Sequence, residues 1–455
     1  YDLHAPMPTM HLAQQRLDGS RIVDVAGEVR RRLIASGLLY GVKPGQQIAI
    51  TAGSRGIHDI ATVLRAVVDL VKACGADPFL VPAMGSHGGA TPEGQVQLLA
   101  ELGITEESMG APIRATMEVE HLGKLPDGPE LYMDAYAAQA DGIVVVNRVK
   151  PHSDFHGPIE SGLAKMTVIG LGKRHGADAM HLYGAPGLRT LLTPAVRYIV
   201  ARKPILAGVG IVESSTGGVA HIGVLAPDHF GGEPEQALLE EARRLLPRLP
   251  FDQLDVLVVD QIGKNYSGAG MDTTVIGRVM VPGQEENATP QITAIAVLDV
   301  SPESHGNAAG IGMADVTTRR LVEKIDFRAF YLNGITSGTF GLRRSSIPFT
   351  MQDDYTAVSL ALHAAAASHP DTPRLVRIHN TLEVGTLLIS DALVDEARQR
   401  GVQVIREVGP LSFGPDGSID PWPEDAPEQG APAPGPEALA APPEAPDAEE
   451  MRTEC

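Results

Sequence analysis

The chain has 455 residues, 43% of them apolar and 4% aromatic, with a formal net charge of -19 and two cysteines. That length exceeds what one hydrophobic core supports, so two domains are expected. The acidic balance argues against a nucleic-acid or anionic-membrane partner, since both need a positive field, and two thiols are too few for a cysteine metal cluster.

No apolar run reaches the length of a membrane span, and the opening stretch YDLHAPMPTMHLAQQRL has no charged-then-apolar signal pattern. A cytoplasmic enzyme is the expectation. Asp24–Ser36 reads as a helix and Val42-Lys43-Pro44-Gly45 as a turn, followed by a short strand at Gln47–Thr51 and the loop Ala52-Gly53-Ser54-Arg55-Gly56. Ile60, Val63, Leu64, Val67, Val68 and Val71 then recur at the spacing of one helical face, and Gly75-Ala76-Asp77-Pro78 stops that helix. Phe79–Met84 is the next strand. Gly85-Ser86-His87-Gly88-Gly89 follows it, and Thr91-Pro92 opens a helix with Thr91 as cap. Strand, glycine-rich loop and helix in repetition are the grammar of an open parallel sheet, whose ligands sit beyond the carboxyl ends of the strands. Arg55 and His87 fall at that edge.

Gly142–Asn147 is a third strand, leading into residues 150–181, the stretch that concentrates most chemistry: His152, His156, Lys165, His175 and His181 among many small residues. Ile205–Val212 is a further strand, and residues 235–248 look like a surface helix. A second set begins at Leu254–Asp260, continues into a loop carrying Lys264, and includes a strand at Thr293–Val300. Helices are expected at Ala308–Val322 and Tyr355–Ala367, with late strands at Leu375–Ile378 and Val402–Ile405. The expected architecture is α/β: two α/β domains with parallel or mixed sheets and an active-site cleft between them. Their bounds are 1–250 and 251–413, the last segment being a candidate to pack back on the first domain. From residue 414 to 455 the composition turns to Pro, Ala, Glu and Asp and holds roughly half of the net negative charge, so this tail is expected to be disordered.

Each candidate group has a plain structural alternative. Lys165 and His181 suit a shared ligand site, but spacing alone favours an exposed lysine and a capped or core-satisfied histidine. Pro151 fixes the backbone before His152, which suits a positioned acid/base, and His156 competes for that role. Arg55 could clamp a carboxylate bidentately or make a surface ion pair. His87 and Lys264 could contact a ligand or be ordinary loop residues. Gly170-Leu171-Gly172-Lys173 has a faint look of a phosphate cradle without matching any full fingerprint. Neither HExxH nor G-x-S-x-G occurs.

Taken in order, these loops resemble the lactate racemase family, the nickel-pincer nucleotide enzymes. Ser161-Gly162-Leu163-Ala164-Lys165 is similar to the family's S-G-G-A-K cofactor segment, and His181 stands at its spacing for the nickel-binding histidine. Arg55, His87, Pro151-His152 and Lys264 match four further positions in the same order. The resemblance implies a nickel-pincer nucleotide held through a thioamide at Lys165, with His181 completing the coordination of nickel. It implies His87 and His152 as acid/base pair, His156 being the alternative, and Arg55 and Lys264 as substrate-binding cations. The implied activity is racemisation or epimerisation of a small 2-hydroxy acid, with transient contact to cofactor-synthesis enzymes. A non-catalytic protein binding a nucleotide or organic acid, and a simple metal-dependent hydrolase or lyase, are the other readings. The interval from His152 to Lys165 is longer than in lactate racemases, GSHGG lacks the arginine that follows their histidine, and TAGSRG differs around Arg55. These departures imply a divergent branch acting on a substrate other than lactate.

Overall fold

The computed structural model describes residues 5–424 except residues 55, 154, 337, 339–340 and 367–371. They form two compact units, one of residues 18–246 and one of residues 5–17 with residues 247–424.

The chain opens with strand β1 (Thr9–Gln14), which belongs to the second of these units. Helix α1 (Val25–Ser36) begins the first, with Asp24 accepting the Gly27 N–H as its cap. Strands β2 (Gln47–Ala52) and β3 (Asp77–Pro82) flank helix α2 (Ile60–Ala73). Helix α3 (Pro92–Glu101) starts at Thr91, whose side chain accepts the Gly94 N–H at 3.1 Å. A hairpin of β4 (Val119–Lys124) and β5 (Glu130–Asp134) precedes β6 (Gly142–Arg148). Helices α4 (Lys173–His181) and α5 (Gly184–Val200) lead to β7 (Ile205–Glu213), β8 (Val219–Leu225) and α6 (Glu233–Leu245).

The main sheet of this unit runs β3-β2-β6-β7-β8, parallel except for the last pair. All six apolar residues read as one face of α2 are buried, packed with Ile48 and Ile50 of β2, Val144 and Val146 of β6, and Val209 and Ile211 of β7. Each such side chain contributes about 1.5–3 kcal/mol on burial. The chain leaves β2 to form β3 on one side and returns later to place β6 on the other. The carboxyl ends of β2 and β6 are therefore a topological switch point, where open α/β sheets form their ligand crevice.

In the other unit, strands β9 (Gln253–Ile262), β10 (Gln291–Val300), β11 (Val316–Thr318), β12 (Phe349–Met351), β13 (Leu375–Ile378), β14 (Thr386–Ser390) and β15 (Gln403–Pro410) join β1 in one eight-stranded mixed sheet. Its order is β12-β11-β10-β9-β13-β14-β1-β15, with β9 to β13 mutually parallel. Helix α7 (Asp354–Ala365) covers part of one face. Here β9 stands at the switch point, flanked by β10 and β13, and Lys264 follows its carboxyl end.

Several expectations are corrected. The first unit does not include β1, which fills the place between β14 and β15 with antiparallel pairing on both sides. The late strand β15 stays with the second unit. Ala308–Val322 is not one helix. Gly310 adopts φ +113°, Ile311–Met313 is a single 3-10 turn, and the β-branched run Val316-Thr317-Thr318 forms β11, so the α-helix is confined to Arg319–Glu323, capped by Thr318. The helix of residues 235–248 is not a surface helix alone: Glu235, Leu238, Leu239, Ala242 and Leu245 are buried. The tail does not begin at residue 414, because residues 411–422 lie along the second unit. Trp422 Nε1 donates to Asp260 at 2.7 Å and stacks on His379 at 3.9 Å between ring centroids. Arg377 bonds both oxygens of Asp260 at 2.8 and 3.1 Å and the Asp420 carbonyl at 2.9 Å. Residues 425–455 of the expected disordered tail lie outside the described residues.

Trp422→Ala removes a ring that packs on the core and satisfies a paired carboxylate. It is expected to destabilise the chain by about 2–4 kcal/mol in denaturant unfolding, with no change expected in the Lys165 segment.

Candidate functional site

Gly53, just past β2, lies so close to the segment after Lys165 that a Cβ there would meet Met166 Cε at 3.1 Å. Asn147, near the end of β6, donates to the Gly162 carbonyl at 2.9 Å. The lysine segment is thus laid against the β2/β6 switch point. Leu163–Lys165 forms one helical turn and then widens into a π-helical turn, Met166–Gly170, closed by the Leu171 N–H on the Met166 carbonyl at 2.9 Å. Such turns recur at functional sites because they displace side chains from the regular helical positions.

Two buried carboxylates hold this segment. Glu235, on the inner face of α6, accepts the Ala164 N–H at 3.0 Å and the Gly231 N–H at 2.8 Å. Burial pushes its carboxyl pKa up, opposed by the hydrogen bonds from Gly231, Ala164 and Leu163. A Cβ at Gly162 would stand 2.4 Å from Glu235 Oε1, so the carboxylate explains the glycine of the Ser161-Gly162 pair.

Glu160 holds the preceding loop. Lys150 and Ser161 close its base with two backbone hydrogen bonds of 3.0 and 3.2 Å. Inside, Glu160 accepts the His152 N–H at 2.6 Å, the Gly157 N–H at 3.1 Å and Arg243 Nη2 at 2.6 Å, with His156 Nδ1 at 3.5 Å. Burial disfavours its charge, but the hydrogen bonds from His156, His152, Arg243 and Gly157 outweigh that and hold its pKa below the ordinary value. His152 packs on the buried Phe155 ring at 4.6 Å, and Lys165 Nζ lies 6.0 Å from the same ring. His152 and Lys165 therefore share one aromatic wall, while His156 faces Glu160.

His87 is exposed in the loop after β3, and its Nδ1 is hydrogen-bonded to Ser54 Oγ from the loop after β2. His181 ends α4 with its side chain exposed. Arg55 lies outside the described residues. Lys264 belongs to the second unit, where its Nζ donates to the Gly268 carbonyl at 2.9 Å and its backbone N–H to Ser304 Oγ at 2.9 Å. The phosphate-cradle reading of Gly170–Lys173 is corrected: Lys173 is fully buried and forms an ion pair with Asp134 at 3.1 Å.

Sequence reasoning missed Glu160, Glu235 and Ser54. Glu235 had a readable signal, since it shares the helical face of Leu238, Leu239 and Ala242. Glu160 lay within the lengthened interval before Lys165 without any local mark of burial.

Residues 33–185 match the lactate racemase N-terminal domain family, so the chain is lactate racemase-like over that span. A UDP-N-acetylmuramoylalanine–D-glutamate ligase from Bordetella avium is 28% identical over 147 residues, covering 29% of this chain and 29% of that protein. The chain thus spans under a third of the length of that relative. Among solved structures, a Thermotoga maritima protein overlaps with a TM-score of 0.49 at 12% identity, over 77% of this chain and 92% of that one. The lactate racemase apoprotein from Thermoanaerobacterium thermosaccharolyticum overlaps with a TM-score of 0.46 at 13% identity, over 81% and 94%. Overlaps at this level carry no argument about the site. Among the described residues no helix is long and apolar enough to cross a membrane.

Gly162→Ala is expected to displace the Glu235 carboxylate and to cost about 1–3 kcal/mol in urea unfolding; unchanged stability would contradict the clamp. Because the pKa of Glu160 is depressed, its stabilising contribution is complete above its ordinary value of 4.5 and is lost as pH falls through the lower folded value. The stability gap between the native chain and Glu160→Gln should therefore narrow as pH drops below 4.5, measured by thermal unfolding across pH.

Proposed function

We propose that this chain, lactate racemase-like through residues 33–185, is a racemase or epimerase of a 2-hydroxy acid that works with a nickel-pincer nucleotide attached at Lys165. The observation that carries this reading is the Lys165 segment itself: a half-buried lysine beside an aromatic wall, at a switch point, held by two buried carboxylates. The donor set fits such a group. Among the described residues, no three His, Cys, Asp or Glu side chains gather to hold a metal ion. A lone histidine, His181 in this proposal, suffices for a metal whose other donors arrive with a nucleotide. The same point weighs against a simple metal-dependent hydrolase, which would also leave Lys165 without a role.

When bound, the cofactor supplies reversible hydride acceptance at the substrate carbon. The residues of the chain have the remaining tasks. The C2 hydrogen of a 2-hydroxy acid is not acidic enough for direct removal by a side chain. A histidine would instead take the hydroxyl proton as that hydrogen left with its electron pair, giving a planar 2-keto acid. Inversion would require the planar keto acid to present its other face before the hydrogen returns, and a histidine on that side would give the proton back to the oxygen. Imidazole suits both directions because its pKa lies near working pH. We assign these roles to His87 and His152. Ser54 on Nδ1 orients the His87 ring and directs Nε2 to the other side. His152 is preferred to His156 because the latter turns its Nδ1 to Glu160. Arg55 and Lys264 are proposed as substrate-binding cations, for the carboxylate or hydroxyl region.

Intact-mass and peptide mass spectrometry of chain produced together with cofactor-building enzymes should find a nucleotide adduct on Lys165. Lys165→Ala should abolish it, and His181→Ala should lower the nickel content while the adduct remains. Chain without adduct and without nickel would refute the reading.

A further inference from the structure

Lys173 begins α4, the helix that ends at His181, yet it adopts φ +51°, a left-handed conformation that lysine rarely takes. It is fully buried, as are Asp134 and Gln95. Its ammonium donates to the Pro82 carbonyl at the end of β3 at 2.6 Å and to Gln95 Oε1 at 2.9 Å, and it pairs with Asp134 at 3.1 Å. Asp134 is in turn anchored, accepting the Tyr136 and Ala137 N–H groups at 2.9 and 3.0 Å.

Gln95 then spends its amide group on the histidine loop. Its Nε2 donates to the Gly85 carbonyl at 3.1 Å and to the His87 carbonyl at 3.3 Å. The two backbones are packed so tightly here that a Cβ at Gly94 would stand 2.0 Å from the Gly88 carbonyl. One lysine thus ties together the end of β3, the loop carrying His87 and the start of the helix carrying His181. Spanning Lys173 to His181, α4 is a rigid rod of about 12 Å. A backbone-strained, desolvated lysine is costly to keep.

We propose that Lys173 and Gln95 are positioning residues that set the register of His87 on the Ser54 side and of α4 on the His181 side. This rests on the reading of His87 as an acid/base group. Lys173 works through Gln95: the glutamine amide, oriented by the ammonium on its oxygen, presents both N–H groups to the loop. Without that orientation the His87 carbonyl keeps only the Ala90 N–H, at 3.2 Å, from within its own turn and loses the donor that ties the loop to the core, and the imidazole no longer keeps one hydrogen bond with Ser54.

The test uses the full chain with nitrogen-15 in its histidines and two variants. Gln95→Leu cuts the link entirely. Gln95→Glu keeps an acceptor for Lys173 but has no N–H for the loop, so a role confined to stabilising the buried cation predicts native behaviour for it. In the native chain, the His87 ring nitrogens should show the separated shifts of one tautomer. In both variants they should move toward an averaged pair, with the native circular dichroism retained. In cofactor-loaded chain, kcat should fall by about 10²-fold with KM little changed, as expected when a reacting group is misplaced by about 1 Å. Native His87 shifts in both variants would overturn the proposal. If the native loaded chain racemises nothing, the functional reading fails instead, and the His87 spectra still decide the positioning role.

Discussion

The lysine segment depends on two carboxylates that have been taken out of water. A buried carboxylate is expensive unless its oxygens meet donors, and Glu160 and Glu235 meet them almost wholly from the backbone and side chains of the site. Glu235 accepts from Gly231 and Ala164, and Glu160 from His152, Gly157 and Arg243. Because α6 supplies both Glu235 and Arg243, one helix grips both the turn that starts at Gly162 and the loop before it. The described residues from His152 to Gly162 are therefore held in place with little regular secondary structure of their own.

This grip acts where the sheet topology already favours a ligand. The switch point at the carboxyl ends of β2 and β6 follows from strand order alone, and Gly53 and Gly162 let the backbone approach Met166 and Glu235 closely. The buried Lys173–Asp134 pair works on the neighbouring β3 loop by the same physical means, an ionised group whose partners are chosen for geometry. Removing one member of such a pair is more damaging than its net contribution to stability suggests, since the other is left charged and unsatisfied.

Helix α2 was legible in full from its apolar spacing, because six buried positions at helical intervals leave little choice. Strands β2, β3, β6 and β7 of the first parallel set and β9, β10 and β13 of the second were legible as apolar runs, whereas the three-residue strands β11 and β12 were not. The region 308–322 was not, because local helix formers there are overruled by Gly310 and by pairing of β11 with β10 and β12. Strand β1 escaped notice because its pairing partners stand some 380 residues away and its composition is not strand-like. At the site, Lys165, His152 and His87 were visible as residue types in small-residue loops. Their supports were not, since Glu160, Glu235 and Gln95 become meaningful only when burial is known. Lys173 was misread for that reason: a lysine after Gly-Leu-Gly looks like a phosphate contact until the ammonium is found inside the core.

The central claim is that His87 and His152 serve the two faces of a 2-hydroxy acid carbon whose hydrogen leaves and returns. The most direct measurement is the optical purity of a panel of single-enantiomer 2-hydroxy acids and sugar acids incubated with the loaded chain, beside His87→Asn and His152→Asn. The account predicts loss of optical purity for at least one acid, starting from either enantiomer, with both variants suppressing it. Retention of optical purity across the panel by chain that carries the Lys165 adduct and nickel would contradict it.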